Sequence, residues 1–321
     1  AKKDIYLQKP TALTIQEGRA LSNAVHKQGC ILQIGSQQRS STQFRYAAEL
    51  VRNGRIGKLK EVLIGLPKDP GGDVEPEMPI PSTLNYDAWL GPTPYLYYTE
   101  KRVHPQNDYS RPGWMRGENY CAGMITNWGA HHIDCAHWAM NTEYTGPKEV
   151  WGTAVYPTSG LWDVMGDFTT YGLYDNGVKM TISTELPNGI KYIGTEGWIF
   201  VTRGAYKASA SDPVAASGQK ALTASNDSII TSVIGENEVN LYRSEEHHGN
   251  WLDCVKSRKQ PIAPVEVGHR SCSTCIVHSI AMKTKRKLYW NATDETFIND
   301  DEANKLLNRP HRAPYTIKGL S

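Results

Sequence analysis

The sequence predicts a fold of mixed class: a short parallel α/β layer, followed by a mostly antiparallel sheet with helices on one face. Two observations carry this prediction. The first 58 residues alternate two strand-like with two helix-like segments, which is typical of a parallel layer. From residue 59 onwards, strand-like runs joined by Asn-Gly turns predominate, and the helices stand apart from them, which favours an α+β arrangement.

The α/β part is justified by its strand and helix signals. Its predicted elements are strand 4–7, helix 14–29, strand 30–34 and a helix from about 42 to 53. The first helix opens on the capping box Thr14-Ile-Gln-Glu17 and closes at Gly29. Ligands of parallel layers bind beyond the carboxyl ends of the strands, so Lys9, which follows the first strand, is a candidate site residue.

The sheet that follows is indicated by alternating apolar runs and by two hairpin turns, Asp175-Asn-Gly177 and Pro187-Asn-Gly189. Its predicted strands are 59–66, 148–156, 167–174, 178–185, 190–193 and 198–201. Helices are predicted near 118–140 and at 246–259 and 267–285, an irregular ordered loop at 67–85 and a flexible segment at 205–228. We therefore expect domains at 1–58 and 59–288, with an extended arm at 289–321.

Composition limits the possible partners. The formal net charge is +2 and the charged side chains are not grouped in blocks, which argues against nucleic acid or an anionic membrane. No apolar run approaches a membrane span, so we expect a soluble protein of the cytoplasm or periplasm.

Six cysteines are too few for a disulfide scaffold. Cys272-Ser-Thr-Cys275 is either a buried pair on a helix or a zinc or redox motif.

The stretch 118–140 carries the strongest chemical signal, because three histidines, an aspartate and two tryptophans fall within eleven residues. Helical spacing places Asn127, His131 and either Asp134 or Cys135 on one face. An imidazole can take or give a proton near neutral pH. His131 is therefore the candidate acid–base residue.

Other candidates are weaker. His132 and His137 are expected to be structural histidines, although His132, beside His131, is also kept as a candidate substrate ligand. Arg102 and Tyr120 belong to an aromatic segment of the kind that binds sugars. His247 either begins or packs a helix or lines the site.

Several segments resemble, in order, those of the glucose–fructose oxidoreductase / inositol dehydrogenase / MocA (Gfo/Idh/MocA) superfamily. The segments are 3–14 with Gln8-Lys9-Pro10, Asn127-Trp-Gly-Ala-His131, Gly194-Thr-Glu-Gly-Trp198, 247–258 and 265–270. The resemblance spans essentially the whole chain. It implies a Rossmann-type domain, of which this chain holds the C-terminal part, then an open-faced sheet domain that binds a small carbohydrate and forms a homo-oligomer through its sheet.

The resemblance also implies hydride transfer between NAD or NADP and a hydroxyl-bearing carbon of a sugar, glycoside or polyol. His131 is then the base, and Lys9 stabilises the alkoxide or relays its proton. The implied substrate-binding residues are Asn127, Arg102, Tyr120, His132 and His247. The implied cofactor-binding residues are Gln8, Lys9, Pro10 and Gln37. No metal ligand is expected, and the Lys9–Pro10 bond is expected to be cis.

Three departures from the family keep alternatives open. Gln8 replaces the usual Glu, which should lower the pKa of Lys9, and Asn127 replaces the usual Asp, so it can bond a hydroxyl but not act as a base. The sequence contains no G-x-G-x-x-G, and we expect the early βαβ unit to lie in a missing N-terminal portion or in a partner chain. The alternatives are a lyase or hydratase of keto-sugars and a non-catalytic sugar-binding subunit.

Overall fold

The structure, a computed structural model, describes residues 2–104, 113–204 and 220–317, and it begins with the predicted α/β layer. The elements of this layer are β1 (Ile5–Leu7), α1 (Ile15–Gln28), β2 (Leu32–Ile34) and α2 (Thr42–Arg52). The two strands are parallel, with Tyr6 opposite Gln33. Their carboxyl ends therefore lie side by side, as the sequence predicts. The first strand is only partly buried, however, whereas the sequence predicts a buried one.

The capping box of α1 is present as predicted. The Thr14 hydroxyl accepts a hydrogen bond from the Glu17 amide over 3.3 Å, and the Glu17 carboxylate accepts one from the Thr14 amide over 3.1 Å. Gly29 ends the helix with φ +63°, a left-handed conformation that glycine adopts without a steric cost.

Thr14→Ala should lower the free energy of unfolding by about 1 kcal/mol, because one amide of the first turn then loses its partner. Thr14→Ser keeps the hydroxyl and should lose less than half of that amount. Urea denaturation of the three proteins checks this. Equal losses in both variants would mean that the methyl group, not the cap, is responsible.

One mixed sheet forms the centre of the second part of the described chain. Its strands are β3 (Leu59–Gly65), β4 (Glu149–Ala154), β5 (Phe168–Leu173), β6 (Lys179–Ser183), β7 (Gly189–Gly194), β8 (Trp198–Val201), β9 (Leu222–Ala224), β10 (Leu288–Asn291) and β11 (Thr296–Phe297). Within the described ranges their order is β11-β10-β4-β5-β6-β3-β7-β8-β9. Only the β3–β6 pair of this series is parallel, so the sheet is mostly antiparallel, as predicted.

The helices of this second part complete the framework. They are α3 (Tyr86–Leu90), α4 (Glu100–Val103), α5 (Met124–Met140), α6 (Asp227–Ile230), α7 (His247–Ser257), α8 (Val265–Thr284) and α9 (Asp301–Lys305). Between the first strand of the sheet and α3, the described chain is irregular, as the prediction for 67–85 requires. The histidine-rich stretch forms α5.

The two faces of the sheet differ. Buried side chains such as Ile64, Ile182 and Tyr192 alternate along the strands on one face, and α5 and α8 pack against the sheet. On the other face, Trp151 and Tyr171 stack with ring centroids 5.4 Å apart. The helices therefore lie on one face, which confirms the predicted fold class.

The position of α5 differs from the prediction in one respect. The sequence predicts an amphipathic helix, but every residue of α5 is buried. The helix is enclosed by α2, α8, β3 and β7. Its polar residues therefore face other protein groups or the site, not bulk solvent.

The end of the chain also differs from the prediction. Residues 289–321 are expected to form an extended arm, yet they continue β10 and include β11 and α9, with Phe297, Ala303 and Leu307 buried. Their apolar residues are too widely spaced to predict this packing from the sequence. A flexible segment is predicted at 205–228. Residues 205–219 lie outside the described residues, and residues 220–228 contain β9, an edge strand of the sheet.

The cysteine pair is buried in α8. The Cys272 thiol donates to the Ala12 carbonyl over 3.3 Å, and the Cys275 thiol to the Ser271 carbonyl over 3.2 Å. Burial raises the pKa of both thiols, that of Cys272 to about 11. This favours the buried-pair interpretation.

In the described part of the chain, no cluster of His, Cys, Asp or Glu is arranged to hold a metal, and no helix is long and apolar enough to cross a membrane.

Candidate active site

The site forms where the carboxyl end of β1 meets the first turn of α5. The Lys9 ammonium donates a hydrogen bond to the side-chain oxygen of Asn127, which is almost fully buried. The preceding residue, Gln8, lies over Gly35, where an added Cβ would stand 2.4 Å from the Gln8 amide oxygen. A side chain at position 35, directly after β2, would therefore displace the Gln8 amide from its present position. The Lys9–Pro10 bond is cis, as expected.

His131 lies one helical turn beyond Asn127, and only 5 % of its surface is exposed. Among the described residues, its Nδ1 has no hydrogen-bond partner. Burial, and then the charges of Lys9 and Arg203, hold the pKa of His131 well below its usual 6.5. The imidazole is therefore neutral at pH 7 and able to accept a proton.

His132 points to a different part of the fold. Its Nε2 lies 3.0 Å from the Asn188 side-chain oxygen, and its Nδ1 lies 3.3 Å from the Gln38 side-chain nitrogen. With these partners Nε2 carries the hydrogen, and both ring nitrogens are occupied. Burial lowers the pKa of His132 to about 3. The contacts favour the structural interpretation of His132.

Asp134, predicted near the face of His131, is taken up by an ion pair. It accepts hydrogen bonds from the Arg39 guanidinium over 2.6 and 3.0 Å and from the Ser271 hydroxyl over 2.9 Å. Arg39 also bonds Glu143 over 2.8 Å. This buried network joins α5 to α8 and to the turn before α2, so it fixes the helix that carries His131.

His247 is likewise held by the protein. Its Nδ1 lies 2.7 Å from the Ser40 hydroxyl, and its Nε2 lies 2.9 Å from the Ile34 carbonyl oxygen. The cap of α7 is supplied by Glu246, whose carboxylate accepts from the backbone amide of His248 over 3.0 Å. These contacts favour packing over lining the site as the role of His247.

Arg203 is a site residue that sequence reasoning missed. Its guanidinium carbon lies 4.4 Å from the centroid of the Trp128 ring, and that ring lies 6.2 Å from the His131 ring. Its positive charge is one of the causes that depress the pKa of His131. The only signal in the sequence is its place two residues after β8, and its contact with Trp128 of α5 is known only from the fold.

A cavity of about 500 Å³ opens beside Lys9. Gln8, Lys9, Pro10 and Tyr120, all predicted site residues, contribute to its wall. Further lining residues, not predicted, are Glu17, Trp89, Trp114 and Arg309. The cavity wall thus brings Gln8, Lys9, Pro10 and Tyr120 together. Asn127 joins them through its hydrogen bond to Lys9, whereas His131, one turn further along α5, does not line this cavity.

Arg102 and Gln37 lie apart from this wall. The Arg102 guanidinium carbon is 4.6 Å from the centroid of the Tyr97 ring. The Gln37 side chain donates to the Tyr6 hydroxyl over 3.2 Å.

The site thus combines a strand end that carries a lysine with a helix that carries a histidine, beside a large mixed sheet. The family match assigns a protein with this arrangement to the oxidoreductases. The chain belongs to the Gfo/Idh/MocA oxidoreductases. Residues 70–207 and 227–317, more than half of the chain, match the family model described as "Oxidoreductase family, C-terminal alpha/beta domain". No curated protein sequence matches the chain.

Solved structures share the fold at low sequence identity. The aldose-aldose oxidoreductase from Caulobacter crescentus, complexed with glycerol, has a TM-score of 0.58 and 16 % identity, over 90 % of this chain and 72 % of that one. The WlbA dehydrogenase from Bordetella pertussis, in complex with NADH and UDP-GlcNAcA, has a TM-score of 0.59 and 12 % identity, over 90 % and 72 %. GenD2 from gentamicin A biosynthesis, in complex with NAD, has a TM-score of 0.56 and 16 % identity, over 91 % of this chain and 72 % of that one.

Proposed function

We propose that this chain oxidises a hydroxyl-bearing carbon of a sugar, glycoside or polyol, or reduces the matching ketone, with NAD or NADP. The observation that carries the proposal is the convergence of Lys9, on Asn127, with a neutral, buried His131 one turn away. Such a pair offers a cation and a base on two different elements. Membership of an oxidoreductase family supports the reaction class.

The roles of the two residues follow from their charges. Neutral His131 takes the hydroxyl proton, and the Lys9 ammonium stabilises the oxygen as its negative charge develops. The Asn127 oxygen holds the ammonium in place. NAD(P), when bound, would supply the acceptor for the hydride of that carbon, so that the oxidised product would be a carbonyl. In the reverse direction the histidine, now protonated, returns its proton to the oxygen.

The residues present fit one end of NAD(P). Gln8, Lys9 and Pro10 line the cavity at the strand end where a parallel layer receives ligands. The sequence contains no G-x-G-x-x-G, and the described residues offer no glycine-rich cradle for the pyrophosphate. We propose that Gln8 and Lys9 face the nicotinamide end.

The test uses protein purified from its source, incubated with NAD or NADP and a panel of sugars and polyols. We expect reduced nicotinamide to appear with at least one substrate. Transfer of deuterium from the carbinol carbon to the nicotinamide would establish the hydride step. Turnover of a keto-sugar without nicotinamide, together with no change in nicotinamide absorbance across the panel, would refute the proposal.

Asn127→Asp restores the carboxylate that other members of the family carry. The carboxylate should keep the Lys9 ammonium charged to higher pH, so the basic limb of the kcat/KM profile should move upward by roughly one pH unit. Asn127→Ala, which offers no acceptor, is the matched control and should not move the limb upward. The pH profiles of the three proteins check this, and an unmoved limb in Asn127→Asp would separate Asn127 from Lys9 in function.

The contacts among the described residues do not favour the lyase alternative. That alternative draws on the neighbouring His131, His132 and Asp134, but His132 is bonded to Gln38 and Asn188, and Asp134 is paired with Arg39. The three side chains therefore face different partners.

We also propose that the open sheet face mediates homo-oligomer formation. Aromatic rings are partly exposed on this face. The Lys179 ammonium lies 5.0 Å from the centroid of the Tyr171 ring, and the Lys287 ammonium lies 4.6 Å from the centroid of the Trp151 ring. Partly exposed aromatic surface of this kind is common at interfaces. Sedimentation of the intact protein and of a Trp151→Glu variant tests this, because a charge there should dissociate the oligomer.

A further inference from the structure

The cavity beside Lys9 continues away from the reacting groups to an aromatic wall. Trp89 from α3, Trp114 and Tyr120 line it, and the Trp89 and Tyr120 rings lie 5.1 Å apart at 56°. A volume of about 500 Å³ is in the range of sites that enclose drug-sized ligands. A single sugar ring held at Lys9 would leave this wall uncovered.

The Tyr120 hydroxyl makes no hydrogen bond of ordinary geometry to a described residue, although its oxygen is buried and the Thr93 hydroxyl lies close enough to lower its pKa. Burial raises the pKa of Tyr120 to about 12, so the hydroxyl keeps its proton and can donate. A buried polar group without a partner lowers stability, and native proteins keep few of them. A ligand hydroxyl in the cavity would supply the missing partner.

Arg309 is fixed in the same wall. Its Nε donates to the Glu17 carboxylate over 2.8 Å, and its Nη1 donates to the Asn119 carbonyl over 3.0 Å. Glu17 also completes the capping box of α1 and lies 2.9 Å from the His311 Nε2. The guanidinium is therefore anchored at two atoms, one to Glu17 at the start of α1 and one to Asn119 before α5, and it presents fixed donors beside the aromatic rings.

We propose that this wall is a second sugar subsite and that the substrate is a glycoside of at least two rings. One ring is placed at Lys9 and His131, and the other lies on Trp89 and Tyr120. The Tyr120 hydroxyl and Arg309 bind hydroxyls of the second ring, while the aromatic faces contact its C–H groups. The position of the first ring rests on the proposed function, whereas the binding of the second ring does not.

The test measures binding by titration calorimetry. The probes are cellobiose, maltose and lactose, compared with glucose and galactose. We expect at least one disaccharide to bind about tenfold tighter than its component monosaccharides. Trp89→Leu should abolish that difference. Tyr120→Phe should weaken binding of the disaccharide by roughly three- to tenfold and change the thermal midpoint little, because the hydroxyl it removes makes no hydrogen bond of ordinary geometry to a described residue.

Tyr95→Phe is the matched control, because Tyr95 belongs to the same aromatic segment but is 64 % exposed and is not part of the cavity wall. Equal binding of mono- and disaccharides, no binding of any probe, or equal losses in Tyr95→Phe and Tyr120→Phe would overturn the second subsite. A disaccharide preference in a protein that never reduces nicotinamide would support the subsite and refute only the proposed reaction.

Discussion

Replacement of His131 by Asn should lower kcat by about a thousandfold and change KM little. General-base catalysis by a positioned side chain contributes roughly 10²–10⁴-fold, and asparagine cannot accept the proton. The residue is 95 % buried in the middle of α5. Asn fills most of the ring's space, and Nδ1 has no partner to lose among the described residues. Circular dichroism should therefore report an intact fold.

The control is His26→Asn, because His26 is exposed on α1, far along the helix from the site. It should keep the full kcat. Steady-state kinetics with the substrate found in the nicotinamide assay measure both variants. If His131→Asn kept more than a tenth of kcat, another group would have to be the base.

The pH dependence gives an independent check on the same residue. The pKa of His131 is lowered below 6.5, first by burial and then by Lys9 and Arg203. The base is therefore neutral both above and well below pH 6.5. The kcat/KM profile should stay flat through pH 6, whereas a solvent-exposed histidine would produce a decline near its ordinary pKa.

The parts of the fold that the sequence predicts well are those with local signals. The capping box at Thr14 and Glu17 marks the start of α1, and Gly29 marks its end, because each is a short-range interaction between neighbouring residues. The turn Asp175-Asn-Gly177 likewise predicts the hairpin of β5 and β6. The turn Pro187-Asn-Gly189 does not form the predicted hairpin, because β3 lies between β6 and β7 in the sheet. Lys9 and His131 are candidates for local reasons as well: one follows a strand, and the other lies in a polar helix.

The parts that the sequence predicts poorly depend on distant packing. Arg203 reaches the site only because β8 ends beside Trp128. Arg309 lines the cavity only because Glu17, almost three hundred residues earlier, holds it there. His132, adjacent to His131, turns out to be bonded to Gln38 and Asn188, from segments that no spacing rule connects to α5.

Acid should destabilise the protein well above the range in which carboxylates titrate. His132, His137 and His278 are fully buried, and burial lowers the pKa of each from 6.5 to about 3. Below pH 6.5 the unfolded chain binds protons at these positions and the folded chain does not. Stability is therefore complete above pH 6.5 and falls as the pH decreases toward 3. By pH 5 each of these three histidines costs about 2 kcal/mol, and His131 and His247, whose pKa values burial also lowers, add to the loss.

Carboxylates do not produce the same loss of stability between pH 7 and pH 5. Glu17, Glu266 and Glu295 have pKa values lowered from 4.5 by arginine or histidine partners, so they remain charged in both states at pH 5. Urea denaturation at pH 7, 6 and 5 measures the loss directly. A free energy of unfolding that stayed constant between pH 7 and pH 5 would contradict the prediction.

A single variant can assign the effect to buried histidines. His278 bonds the Thr170 hydroxyl through Nδ1 over 2.8 Å, and its Nε2 has no partner among the described residues. His278→Asn can keep the first bond while it removes the titrating ring, so the loss between pH 7 and pH 5 should shrink by about 2 kcal/mol, the contribution of this one histidine. His26→Asn removes an exposed histidine instead and should leave the loss unchanged. If both variants lost stability with pH as the wild type does, the acid sensitivity would have to arise elsewhere than at His278.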